Sequence, residues 1–184
     1  VDTESKIKMG INGKYMFAEK AFLDAETTLS CPQKPLLGAA VDAVVHSMEG
    51  LICKNSNLFS DMLALQSLEL LLPNVERLFL EWEKNKNILE IRQSMLQGAF
   101  LAGIVQMNSG SGIAAAISYP LSVYYNVPHG IGGAIFLPEV LKFNFQKGNY
   151  KLTKLSHRLK HNSEKDFIHY ITDLFKKIGV PKNL

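Results

Sequence analysis

From Pro35 to Gly179, apolar residues return every three or four positions with almost no relief. A chain patterned this way folds as a set of amphipathic helices. Residues 36–53 put Leu37, Ala40, Val41, Val44, Met48 and Leu51 on one face. Pro35 suits a first helical turn, where its missing N–H costs nothing. Ser60-Asp61 is placed to cap a second helix. Its apolar residues, Met62 to Phe79, lie nearly all round, which predicts a central position, and Pro73 is expected to kink or interrupt it. The charged residues 81–86 read as a loop, and a third helix is predicted over about 87–108. Ser109-Gly-Ser-Gly112 punctuates, and the small-residue run from Ile113 to Ile117 predicts a deep, tightly packed helix. Pro128-His129-Gly130 breaks the pattern before a helix over about 131–145. The tail predicts two basic amphipathic helices, the last capped by Ser163 and stopped by Gly179. Residues 1–34 are irregular, with a short strand or hairpin expected around Lys6–Phe22. The fold class is all-α, with a short irregular N-terminal segment.

The composition excludes several functions. With 20 basic and 17 acidic residues the net charge is only +3, and no aromatic residues interleave with a basic patch. Nothing there argues for nucleic acid or a membrane surface. The longest apolar run, Met62 to Leu72, is too short to span a bilayer, and residues 1–10 do not read as a signal peptide. Cys31 and Cys53 stand far apart and form no C-x-x-C motif, so free thiols in a reducing cytoplasm are expected. The chain opens on Val1 and stops at Leu184, and both ends look cut from a longer sequence.

Two places carry candidate chemistry. Asp42 and His46, four residues apart, project from one helix face, and an imidazole with a carboxylate suits Zn²⁺ or Fe²⁺. At this spacing the pair is more often a plain ion pair or a satisfied core histidine. His129, between a rigid Pro128 and a permissive Gly130, is fixed at a loop-to-helix junction, where a simple turn histidine is the commoner case. His157 and His161 share the i,i+4 spacing, but Arg158 and Lys160 beside them repel a cation, so a solvated basic face is expected. Ser109-Gly-Ser-Gly112 lacks the strand that precedes a phosphate-binding loop and reads as a turn.

Taken in order, the pieces resemble a known whole. Phe22-Leu-Asp-Ala-Glu-Thr-Thr-Leu-Ser-Cys-Pro32, Ala40-Val-Asp-Ala-Val-Val-His-Ser-Met-Glu49, Gly98-Ala-Phe-Leu-Ala-Gly103, Tyr119-Pro-Leu-Ser-Val-Tyr-Tyr-Asn-Val-Pro-His-Gly130 and Leu137-Pro-Glu-Val140 are similar to successive motifs of the iron-containing (group III) alcohol dehydrogenases. The resemblance implies a two-domain enzyme whose N-terminal domain binds NAD or NADP and whose helical C-terminal domain binds the metal. Residues 1–34 would then be the lead-in from a missing nucleotide-binding domain, and 35–184 the helical metal-binding domain, truncated at its C-terminal end. The family's ligands map onto Asp42, His46 and His129. A further histidine is expected fourteen residues before His129, where this chain has Ala115, and Tyr119 stands where many members place a histidine near the substrate.

The resemblance further implies a hydride transfer between a nicotinamide and an alcohol/aldehyde pair, with a divalent metal (Fe or Zn) as Lewis acid. Tyr119 is the candidate for orienting substrate or relaying a proton. The cofactor-binding residues are expected mostly in the missing domain, so the 184 residues alone are expected to be inactive. Homodimers are usual in the family. Two other readings stand beside this one. The first is a non-catalytic pseudoenzyme or packing and dimerisation module with a defective metal site. The second is a sister enzyme such as a glycerol dehydrogenase or a dehydroquinate synthase.

Overall fold

The computed structural model describes residues 4–5, 7–8, 13–80, 82 and 88–182. Among the described residues seven α-helices run in chain order: α1 (Gln33–Ile52), α2 (Leu58–Leu80), α3 (Ile88–Ser109), α4 (Ile113–Tyr125), α5 (His129–Gln146), α6 (Tyr150–Arg158) and α7 (Glu164–Lys177). The fold is all-α. Of the strand or hairpin expected around Lys6–Phe22, the described part holds a 3-10 turn at Lys14–Met16 and a single isolated bridge residue at Ile7. The rest of that segment, and the loop expected at 81–86 apart from Trp82, lie outside the described residues.

The post of the domain is α1 rather than α2. It packs against α2, α3 and α5, and more lightly against α4 and α6, whereas α2 meets chiefly α1 and α3. The reason lies in side-chain size. Ala40, Ala43 and Gly50 let neighbours approach α1 from several sides, while Val41, Val44, Val45 and Met48 are fully enclosed. On α2 the apolar ring is only partly used, because Leu58, Phe59 and Met62 at its start face outward. Among the described residues α1 alone is by itself long and apolar enough to cross a membrane. Its apolar side chains are spent inside the bundle instead.

Several boundaries follow from caps. At the start of α2, Asn57 and Ser60 bond reciprocally: the Ser60 N–H donates to Asn57 Oδ1 at 3.1 Å and the Asn57 N–H to Ser60 Oγ at 2.9 Å. The helix therefore begins one turn before the Ser60-Asp61 cap that the sequence suggested. Pro73 does not interrupt α2; it sits exposed, and the next residue, Asn74, donates its side-chain amide to the Leu70 carbonyl at 2.7 Å. Ser163 caps α7 through the Asp166 N–H, and Gly179, at φ +90°, ends it. A buried hydroxyl chain stitches three helices together. Ser47 Oγ lies 2.7 Å from Ser67 Oγ, which donates to the Gly98 carbonyl of α3.

The turn that matters for the site is the one between α3 and α4. Their axes differ by 106° across Gly110–Gly112, so α4 folds back beside α1 and α5.

Candidate metal centre

One face of α1 carries Asp42, His46 and Glu49, spaced i, i+4 and i+7, and so stacked one above another. Asp42 Oδ2 lies 3.3 Å from His46 Nε2, and Asp42 Oδ1 lies 3.9 Å from His129 Nε2. One ligand atom from each of the three residues falls within 4.8 Å of the others, and all three are half-buried. His129 is the first residue of α5, with Pro128 as its N-cap. The approach that brings it to α1 depends on Gly130. A Cβ there would stand 2.1 Å from the Gly38 carbonyl oxygen and 2.6 Å from Asp42 Cβ, so only glycine lets α5 start this close.

The tautomer of His129 is set from α4. Ser118 Oγ donates to the Ala115 carbonyl at 2.6 Å and lies 2.7 Å from His129 Nδ1. With its proton given to the carbonyl, the hydroxyl accepts from Nδ1–H, which leaves the Nε2 lone pair pointing toward Asp42. Two acceptors, Nε2 and Oδ1, then face each other across 3.9 Å, an arrangement that a cation relieves. His46 turns Nε2 to the same carboxylate, and its buried Nδ1 has no hydrogen-bond partner. One carboxylate and two imidazoles converging in this way fit a divalent transition metal.

Burial pushes the Asp42 carboxyl up, but the His46 hydrogen bond and the nearby charges of His46, His129 and Lys8 hold it below its ordinary value. Burial lowers His129, with Asp42 opposing and Lys8 and His46 reinforcing the shift. Lys8 is itself lowered by burial and raised by Asp42. Its Nζ sits 4.5 Å from the centre of the Tyr119 ring, which in turn lies 5.4 Å from the His129 ring. Tyr119 therefore borders the cluster.

Glu49 does something else. It is fully buried, and its carboxylate accepts from the N–H groups of Gly112 (3.0 Å), Ala114 (2.5 Å) and Ala115 (3.2 Å). The anion-binding end of α4 is thus filled by the protein's own carboxylate, and Ser109-Gly-Ser-Gly112 cradles no phosphate. Burial raises the Glu49 carboxyl despite those three bonds. Ala115 is buried beside this staple, with its N–H on Glu49 and its carbonyl on Ser118. His157 and His161 do not share a helix, because α6 ends at Arg158. His161 packs instead on the rings of Phe167 and Tyr170.

Sequence reasoning reached Asp42, His46, His129 and Tyr119, which the fold brings together. Three contributors had drawn no role from the sequence: Ser118, Glu49 and Lys8. Glu49 was visible as the last letter of the helix phrase, but its partners lie 63 to 66 residues away.

Comparison with known proteins matches residues 37–184 to the Fe-containing alcohol dehydrogenase family, C-terminal. Among curated relatives, a 4-hydroxybutyrate dehydrogenase of Clostridium kluyveri is 32% identical over 141 residues, covering 76% of this chain and 37% of its own length. An NADPH-dependent butanol dehydrogenase of Clostridium saccharobutylicum is 28% identical over 189 residues, covering 100% of this chain and 47% of its own. The chain thus spans less than half the length of either. The solved structure of an iron-containing alcohol dehydrogenase from Thermococcus thioreducens superposes with a TM-score of 0.76 at 28% identity, over 87% of this chain and 41% of that one. With the match running from α1 through the last helix, the chain belongs to the Fe-containing alcohol dehydrogenase family and carries its C-terminal helical part.

Proposed function

We propose that this chain is the metal-binding part of an NAD(P)-linked alcohol dehydrogenase or aldehyde reductase, with Asp42, His46 and His129 as the ligands. The observation that carries the reading is the convergence of their ligand atoms within 4.8 Å. Held by Asp42, His46 and His129, iron or zinc would supply Lewis acidity, and a nicotinamide, bound mostly by residues outside the helical part, would supply the redox chemistry. The chain's own work is positional. Ser118 orients His129, Glu49 fixes the start of α4, and Tyr119 at the border of the cluster orients the substrate. Residues 1–34 serve as the lead-in from a nucleotide-binding part.

Metal content per chain, measured by plasma mass spectrometry on protein purified without chelator or affinity metal, tests this. About one equivalent of iron or zinc, lost in His129→Ala, is expected for a single three-ligand site. An absence of metal after reconstitution would sink the reading. Kinetics of Tyr119→Phe in the catalytically competent enzyme test the remaining role, and unchanged turnover would remove it.

Ala115 favours a second reading, a helical module that does no catalysis. A methyl group cannot ligate, and the resemblance places a histidine at this position. Under that reading the native chain stays metal-free, whereas Ala115→His gains a bound ion.

A further inference from the structure

A cavity of about 340 Å³ opens between the Ala25–Thr28 turn, α1, α2 and α3. Its walls are mostly apolar, with Leu36, Leu71 and Met95 among them, and its polar edge is formed by Thr28, Cys31 and Arg92. Arg92 is unusual. It is only 2% exposed, and its Nε has no hydrogen-bond partner. Among the described residues no carboxylate pairs with it. Its Nη1 donates to the Thr28 carbonyl, and its guanidinium lies 5.4 Å from the centre of the Trp82 ring. A carbonyl dipole and an aromatic face soften a buried charge but do not neutralise it.

An apolar cavity open at one side, with a buried guanidinium in its wall that no carboxylate among the described residues pairs with, has the chemistry to hold an aliphatic chain ending in a single negative charge. We propose that this cavity binds short- to medium-chain aliphatic carboxylates, the carboxylate against Arg92 and the tail along Leu36, Leu71 and Met95. The acid is matched better than a phosphate, because the walls are apolar and a single guanidinium offers a single positive charge. Burial lowers Arg92, with the Cys31 thiol opposing it; a bound carboxylate supplies a counter-charge that no described residue provides. The proposal is independent of the metal cluster.

Cys31 gives the cavity its own reporter. It is partly exposed and unpaired, and the chain's other cysteine is Cys53. In the full 184-residue chain carrying Cys53→Ser, the rate of Cys31 alkylation by iodoacetamide is followed while hexanoate is titrated. 1-Hexanol is the neutral match for the tail, and sodium chloride the match for ionic strength. Saturable protection of at least about fivefold by hexanoate is expected, with the alcohol needing roughly tenfold more for the same effect, as one charge-assisted contact of this kind implies. Arg92→Lys should weaken hexanoate protection and leave the alcohol's unchanged. Arg92→Met should make the two ligands equal if the chain still folds. Equal protection by acid and alcohol in the unchanged Arg92 protein, or protection by neither, overturns the proposal.

Discussion

Ser118 and His129 are joined through Oγ and Nδ1 at 2.7 Å, and the Ser118 proton is committed to the Ala115 carbonyl. That commitment makes the hydroxyl an acceptor toward the imidazole and leaves Nε2 bare. Replacing Ser118 by Ala should therefore lower metal affinity by about tenfold to a hundredfold, the range seen when a ligand's outer hydrogen bond is removed. Competition with a zinc chelator reads this directly, and an unchanged constant would remove Ser118 from the site.

Glu49→Gln should cost stability rather than ligand identity. The amide offers one acceptor oxygen where the carboxylate offers two, so at least one of the Gly112, Ala114 and Ala115 N–H groups meets an NH₂. A buried donor left in this state costs about 1–3 kcal/mol. Urea unfolding should show a lower midpoint with an unchanged slope.

His129 gives the metal-free chain a pH dependence. Burial holds its folded value below the ordinary 6.5. Between that folded value and 6.5 the unfolded chain binds a proton that the folded chain refuses. This contribution is fully present above 6.5 and is lost as pH falls through the window. Urea midpoints across pH 5–8 should fall toward acid, and His129→Gln should flatten that part of the profile.

Gly130 and Gly38 face each other across the α1–α5 contact and should respond oppositely to alanine. At Gly130 the new Cβ would meet the Gly38 carbonyl at 2.1 Å and Asp42 Cβ at 2.6 Å; at Gly38 it would meet nothing within 4 Å. Gly130→Ala should cost about 1–3 kcal/mol or more and spread the ligand cluster. Gly38→Ala should gain about 0.5–1 kcal/mol through helix propensity alone. Thermal unfolding of the two variants checks both signs.

How much of this was legible in the sequence depended on how local each signal was. Asp42 and His46 could be paired by counting along one helix, and His129 announced itself through its proline and glycine neighbours. Their meeting could not be derived from spacing, because it depends on Gly130 permitting a close approach; only the family resemblance joined them. Ser118 was invisible because a serine inside a helix ordinarily bonds its own backbone, and only the return of α5 brings it an imidazole. The α2 cap shifted by one turn because Asn57 and Ser60 satisfy each other, which outweighs the Ser60-Asp61 pair. The centrality of α2 was over-read from its apolar count: small residues, not the most apolar ones, decide which helix neighbours can surround.

The staple from Glu49 to the start of α4 has a consequence for how such a site can change. Two hydrogen bonds to side chains hold the main chain of Ala115, its N–H donating to Glu49 and its carbonyl accepting from Ser118. The side chain at 115 makes neither of these bonds. A change of side chain at 115 therefore leaves both bonds available, and what it tests is room: Ala115 is only 2% exposed, so a larger group there must displace its neighbours.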